Sequence, residues 1–159
     1  MKLLFKQRFF SWFDSYDIYD EQGEIVYTVK GAHTWFAWEH CLKIYDKAGN
    51  KVGMVQEKIF TLSPKFEIYI KDEYVGCIRK GFNFFNPTYN VDFKKWYVEG
   101  NFLELEYDII DERQQIVAIV SKKVFNWTDT YMIDVNDSED GLAALMLVLA
   151  IDAEKCSRG

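Results

Sequence analysis

The residues best equipped for chemistry are few and scattered along the chain. His40 and Cys41 stand side by side, and a thiol beside an imidazole is the pairing that activates a nucleophile. Neighbours in an extended strand point to opposite faces, so this pair cannot act together unless the strand breaks. A partner for Cys41 would have to come from His33 or from another strand, and a cysteine in so aromatic a stretch reads as a small core residue. The run Asp134 to Asp140 has calcium-like alternation at Asp134, Asn136 and Ser138. Glu139 stands where such a loop requires glycine, and no closing glutamate ligand follows. The run reads as the acidic start of a helix. Gly49 and Gly53 have no Lys-Ser/Thr after them, so no phosphate cradle is indicated. Neither a metal nor another cofactor is expected; the chain reads as a non-catalytic binding or scaffold domain, with an enzyme that uses an unrecognised pocket as an alternative. Three basic pairs remain: Arg79-Lys80, Lys94-Lys95 and Lys122-Lys123. Gathered in space they could hold an anionic phospholipid headgroup; apart they are solvated wall residues.

The elements that would position these groups belong to one domain, residues 1–159. Only Pro64 and Pro87 interrupt the sequence, and no Gly/Ser-rich or Pro-rich stretch marks a linker. A net charge of −6 provides no basic field for nucleic acid. Cys41, Cys77 and Cys156 are odd in number and lack CxxC spacing, which indicates neither a disulfide framework nor a zinc ribbon. The opening MKLLFKQRFF has no long apolar core or small-residue cleavage site. A cytoplasmic location follows as the expectation, free or peripheral to a membrane, with an anionic phospholipid or a protein as partner.

Aromatic residues make up 18% of the chain, a bias that favours strands. A strand–turn–strand unit recurs at Asp17 (DIYDEQGEIVYTV), Lys43 (KIYDKAGNKVGMV) and Asp108 (DIIDERQQIVAIV), with a shorter-turn copy at Glu67 (EIYIKDEYVGCI). In the first two, the leading Asp20 or Asp46 can cap a turn while Gly23 or Gly49 accepts positive φ at a bulge. Gln114 stands in the glycine place of the third, so that turn is expected to be longer or strained. Gly100-Asn101 suggests a tight connection. Alternation puts Phe66, Ile68 and Ile70 on one face of their strand, and Leu103, Leu105, Tyr107 and Ile109 on one face of theirs. Trp12, Trp35, Trp38, Trp96 and Trp127 read as core or rim residues. Roughly ten to twelve such strands must close or stack to hide their edges.

One segment breaks this pattern. Leu142 to Ile151 is apolar at every position, and Asp137 or Ser138 can cap it as a helix. A helix apolar all round lies in a bilayer or inside protein. Ten residues reach only about 15 Å, half of a hydrocarbon core of roughly 30 Å. The helix is therefore expected inside the β structure, and no transmembrane segment is expected.

Leu4-Phe5-Lys6-Gln7-Arg8, then Tyr16-Asp17-Ile18-Tyr19-Asp20 and Gly23, the repeated hairpins, and Asp140-Gly141-Leu142 onward to Ile151 resemble the LURP-one-related family. The resemblance covers essentially the whole chain. It implies a tubby C-terminal-like fold, mainly β: a closed antiparallel barrel of about twelve strands around a central hydrophobic C-terminal helix. The wider superfamily includes phosphoinositide-binding tubby domains and phospholipid scramblases. A lipid site of that kind would use Arg79, Lys80, Lys94, Lys95, Lys122 and Lys123.

Overall fold

In the computed structural model, residues 1–6, 15–33, 40–58, 61–62, 65–81, 89–92, 94–101, 106–125 and 128–157 are described. Twelve strands run in chain order. They are β1 (Lys2–Lys6), β2 (Ser15–Tyr19), β3 (Ile25–His33), β4 (His40–Asp46), β5 (Lys51–Lys58) and β6 (Lys65–Ile70). Then come β7 (Glu73–Lys80), β8 (Tyr89–Val91), β9 (Trp96–Asn101), β10 (Glu106–Ile110), β11 (Ile116–Phe125) and β12 (Thr128–Val135). Each strand pairs antiparallel with the next in the chain, and β1 pairs with β12 to close the barrel.

The recurring sequence unit is the recurring hairpin. In three of them an aspartate begins the turn and holds it through both backbone and carboxylate. Gly23 N–H donates to Asp20 O, Gly49 N–H to Asp46 O and Gln114 N–H to Asp111 O, at 3.0 to 3.1 Å. The three carboxylates accept backbone N–H groups from Glu24, Asn50 and Gln115 at 2.8 to 2.9 Å. Asp46 is thereby held below the ordinary carboxylate range, chiefly by the Asn50 backbone. Gly23 and Gly49 have φ of +81° and +84°, and Gln114 has +63°. The third turn is thus no longer than the others; it carries a left-handed non-glycine residue instead. The fourth hairpin turns on Lys71 and Asp72, both at positive φ, as a two-residue connection between twisted strands requires.

Gly100-Asn101 is not a turn. Both residues lie within β9, where they face Tyr107 and Glu106 of β10. The polar pair that looked like a connection is the end of a strand whose partner approaches closely at Gly100. Leu103 and Leu105, and Trp12, Trp35, Trp38 and Trp127, lie outside the described residues.

Inside the barrel runs α1 (Gly141–Ser157), entered through the short 3-10 turn Ser138–Asp140, which Asp137 caps through Glu139 N–H. Leu145, Met146, Leu147, Val148, Leu149, Ala150 and Ile151 are all at most 1% exposed. They pack against inward strand residues such as Leu3, Ile18, Val29, Ile44, Val55, Ile68, Val98, Ile109 and Ile133. Gly53 on β5 makes room for the helix: a Cβ there would sit 3.1 Å from Met146 Sδ.

Replacing Leu145 or Leu149 with Asp is expected to unfold the domain. An unpaired charge there costs several kcal/mol against a total stability of about 5 to 15. Circular dichroism and urea titration check it, and a soluble variant that unfolds cooperatively near the wild-type midpoint contradicts the central-helix core.

Candidate functional site

Hairpin turns and the start of α1 occupy one end of the barrel, and the last turns of α1 reach the other. At this second end the inward-facing positions stop being apolar. Tyr89 follows Val91 inward, Lys80 follows Ile78, Glu57 follows Val55, and His40 precedes Leu42, each two residues from a buried wall residue. Lys122 takes the same role on β11, directly across from buried Tyr131.

The helix brings its own charge to meet them. Glu154 is 2% exposed and is the only buried charged residue among those described. Its carboxylate accepts from Lys80 Nζ at 2.9 Å and from the Tyr89 hydroxyl at 2.6 Å. The Lys80 ammonium also lies 5.9 Å from the centre of the Tyr89 ring. One helix carboxylate is thus tied to two adjacent strands, β7 and β8. Nearby, burial pushes the Tyr107 phenol well above its ordinary range, with the charges of Asp152, Tyr89 and Tyr131 adding to it. On β4 and β5, His40 Nδ1 lies 3.0 Å from Glu57 Oε2, with 26% and 14% of the two side chains exposed. His33, on β3, stands opposite His40 in the strand register.

The six cations expected as a lipid site are not brought together. Lys94 and Lys95 follow β8 at the turn end, where Lys94 bonds Asp140 at 2.8 Å and Lys95 bonds Glu112 at 3.1 Å. Lys80 holds Glu154 at the far part of the helix, on the order of 20 Å from Asp140 at 1.5 Å per residue. Lys122 is on the inward face and half-buried, while Lys123 is exposed on the outward face. Arg79 is exposed, and its Nε donates to Cys77 Sγ at 3.2 Å. Each sequence pair is divided by the strand's alternation or engaged by local carboxylates.

His40 and Cys41 point to opposite faces as expected. His40 meets Glu57 inside, and Cys41 Sγ meets Ala32 O at 3.6 Å. Cys77 is fully buried, with Asp92 accepting from both its N–H at 2.6 Å and its thiol at 3.2 Å. Burial pushes this thiol up, and Asp92 adds to the shift against the opposing pull of Arg79, so its thiolate is disfavoured. The Cys156 side chain lies outside the described residues.

The residues that sequence reading missed are Glu57, Tyr89, Asp152 and Glu154. The signal for Glu154 was the lack of a stop: no glycine or proline separates it from the apolar run, so the helix and its enclosing wall continue past it. Replacing Lys80 with Met is expected to cost about 3 to 5 kcal/mol, because it strands a buried carboxylate. The double variant Lys80→Met/Glu154→Gln should recover more than half of that loss, since the amide oxygen still accepts from Tyr89. Urea unfolding of the four-member cycle measures this, and strictly additive losses would show that the two groups are not coupled.

Comparison with known proteins agrees with this architecture. The family model described as LURP-one-related matches residues 1–152. The uncharacterized protein YxjI of Bacillus subtilis (strain 168) is 26% identical over 152 residues, covering 96% of this chain and 92% of that protein. The X-ray structure of a protein from Arabidopsis thaliana superposes with a TM-score of 0.61 at 14% identity, over 93% of this chain and 88% of the other. A twelve-stranded closed barrel with one enclosed helix, matched in sequence along nearly its whole length, makes this chain a member of the LURP-one-related family.

Proposed function

We propose that this domain is a non-catalytic cytoplasmic module that works by binding or scaffolding, meeting its partner at the wall and ends of the barrel. The observation that carries this reading is the filled interior. A ligand-binding barrel holds its ligand in the lumen, and here α1 occupies the lumen with side chains that are at most 1% exposed from Leu145 to Ile151. Two pairs of the polar groups that face inward are engaged with each other, Lys80 with Glu154 and His40 with Glu57.

Peripheral recognition of anionic phospholipids is the narrower form of the same reading. The separation of the basic pairs, and the carboxylates beside Lys80, Lys94 and Lys95, support a general binding surface over one shared headgroup site.

Co-sedimentation with phosphoinositide-containing and neutral liposomes at low and high salt separates the two forms, because headgroup attraction by exposed cations is screened by salt. The expected result is no salt-sensitive enrichment on the anionic vesicles. Strong binding at low salt that disappears in Arg79→Glu or Lys123→Glu would favour the phospholipid form. A reproducible turnover abolished by one side-chain substitution would overturn the binding reading altogether.

A further inference from the structure

We propose that the outer wall of strands β5 to β9 carries a docking row for an acidic peptide segment of a partner protein, with Lys58, Lys65 and Arg79 as its cationic part. The inference rests on the binding reading above and names the chemistry of the partner. The strand register sets Lys58 across from Lys65 and Lys65 across from Arg79. The same row continues through Asn90 to Tyr97. All five face away from the helix, because residues beside them along the strands, among them Phe66, Ile78, Val91 and Val98, are buried in the core. Each of the five can donate a hydrogen bond and none is an acid. Sequence reading missed the row because positions 58, 65 and 79 become neighbours only through strand pairing.

Like charges directly opposite one another destabilise a sheet, and here three stand in succession. Lys58 and Lys65 share one carboxylate: Glu67 Oε2 lies 3.5 Å from Lys58 Nζ, and Glu67 Oε1 lies 3.5 Å from Lys65 Nζ. Glu67 Oε2 also accepts from the Tyr69 hydroxyl at 2.9 Å. Arg79 is exposed, and its Nε donates to Cys77 Sγ at 3.2 Å. The opposite, Nη edge of the planar guanidinium is the one a carboxylate would meet in a bidentate contact. The two lysine side chains are 28% and 23% exposed, held along the wall yet open to solvent.

Charge and shape together select the occupant. On a chain of net charge −6, an acidic segment is repelled by the molecule as a whole and held only where cations adjoin. Neighbouring strands are about 4.8 Å apart, so the row from Lys58 to Tyr97 spans roughly 19 Å, which about six residues of an extended chain cover. The row follows the circumference of a closed barrel, so its ends fall away from a flat bilayer, whereas a flexible chain can follow the curve.

The test titrates a fluorescein-labelled peptide of eight glutamates into the intact chain at low salt, with the eight-glutamine peptide as control, and maps the contact by amide NMR. The expected result is saturable binding of the glutamate peptide alone, weakened as salt is raised, with the shifted amides centred on Lys58, Lys65, Arg79 and Asn90. Lys65→Gln and Arg79→Gln should each weaken binding about three- to fivefold, and Arg79→Gln should keep the thermal midpoint of the wild type. Lys47→Gln, whose charge faces Glu24 at the turn end, should leave binding unchanged. Absence of binding, shifts centred on another face, or an equal loss in Lys47→Gln overturns the proposal. Tighter binding to phosphatidylserine vesicles than to the peptide, lost in Arg79→Gln, assigns the row to a membrane and overturns it as well. The wild-type shift map decides the matter even if a variant does not fold. The wider binding reading is overturned by a catalytic turnover and not by a failed peptide titration.

Discussion

Enclosure of α1 is the constraint on which the rest of this molecule depends. A helix apolar on every side has no face to offer water, so it needs a wall around its full circumference. An open sheet covers one side of a helix, and a pair of packed sheets leaves the flanks bare. Only a closed sheet gives each helix residue an apolar partner, and twelve antiparallel strands close here into one. The dependence is mutual: without the helix the lumen would be lined by Leu3, Ile18, Val29, Ile44, Ile68 and Ile133 facing empty space, an arrangement that forfeits their packing contacts.

The same enclosure explains why charge inside the barrel is confined to one end. Helix and wall both change character there, with Asp152 and Glu154 on the helix and Lys80, Glu57, His40 and Lys122 on the strands. A buried carboxylate is tolerable only when it is paired and its remaining lone pairs are satisfied. Glu154 meets that condition through Lys80 and Tyr89 at once. Because its two partners sit on neighbouring strands, the interaction also fixes the rotation and depth of the helix. Apolar packing alone specifies these weakly for a cylinder greasy all round.

Legibility in the sequence followed the range of the interactions concerned. Turn chemistry is local, and Asp20 with Gly23 and Asp46 with Gly49 carried enough information in four residues to place two hairpins. Gln114 shows that the aspartate matters more than the glycine in this family of turns, since Asp111 makes the same bonds around a left-handed glutamine. Burial of the helix was legible from length and polarity together. Gly100 was misread because a glycine that admits a close neighbouring strand and a glycine that turns the chain look alike in one dimension. The polar end was unreadable for a related reason. Lys80 and Glu154 are 74 positions apart, and His40 and Glu57 are joined only by strand register. The basic pairs show the converse: two adjacent lysines in a strand face different environments, so adjacency in sequence does not by itself gather them on one surface.

That last point bears on function. A strand doublet such as Lys122-Lys123 gives one residue to the lumen and one to the outer wall, so the number of cations in the sequence overstates what any ligand could meet on one surface. Halving each doublet, and then subtracting Lys94 and Lys95, which already face Asp140 and Glu112, leaves the outer wall with Arg79 and Lys123 from the original six. These belong to β7 and β11, with three strands between them. At about 4.8 Å per strand spacing they are separated by roughly 19 Å around the wall, more than a single phosphate group can span. The six positions are therefore divided around the circumference of the barrel rather than gathered on one face.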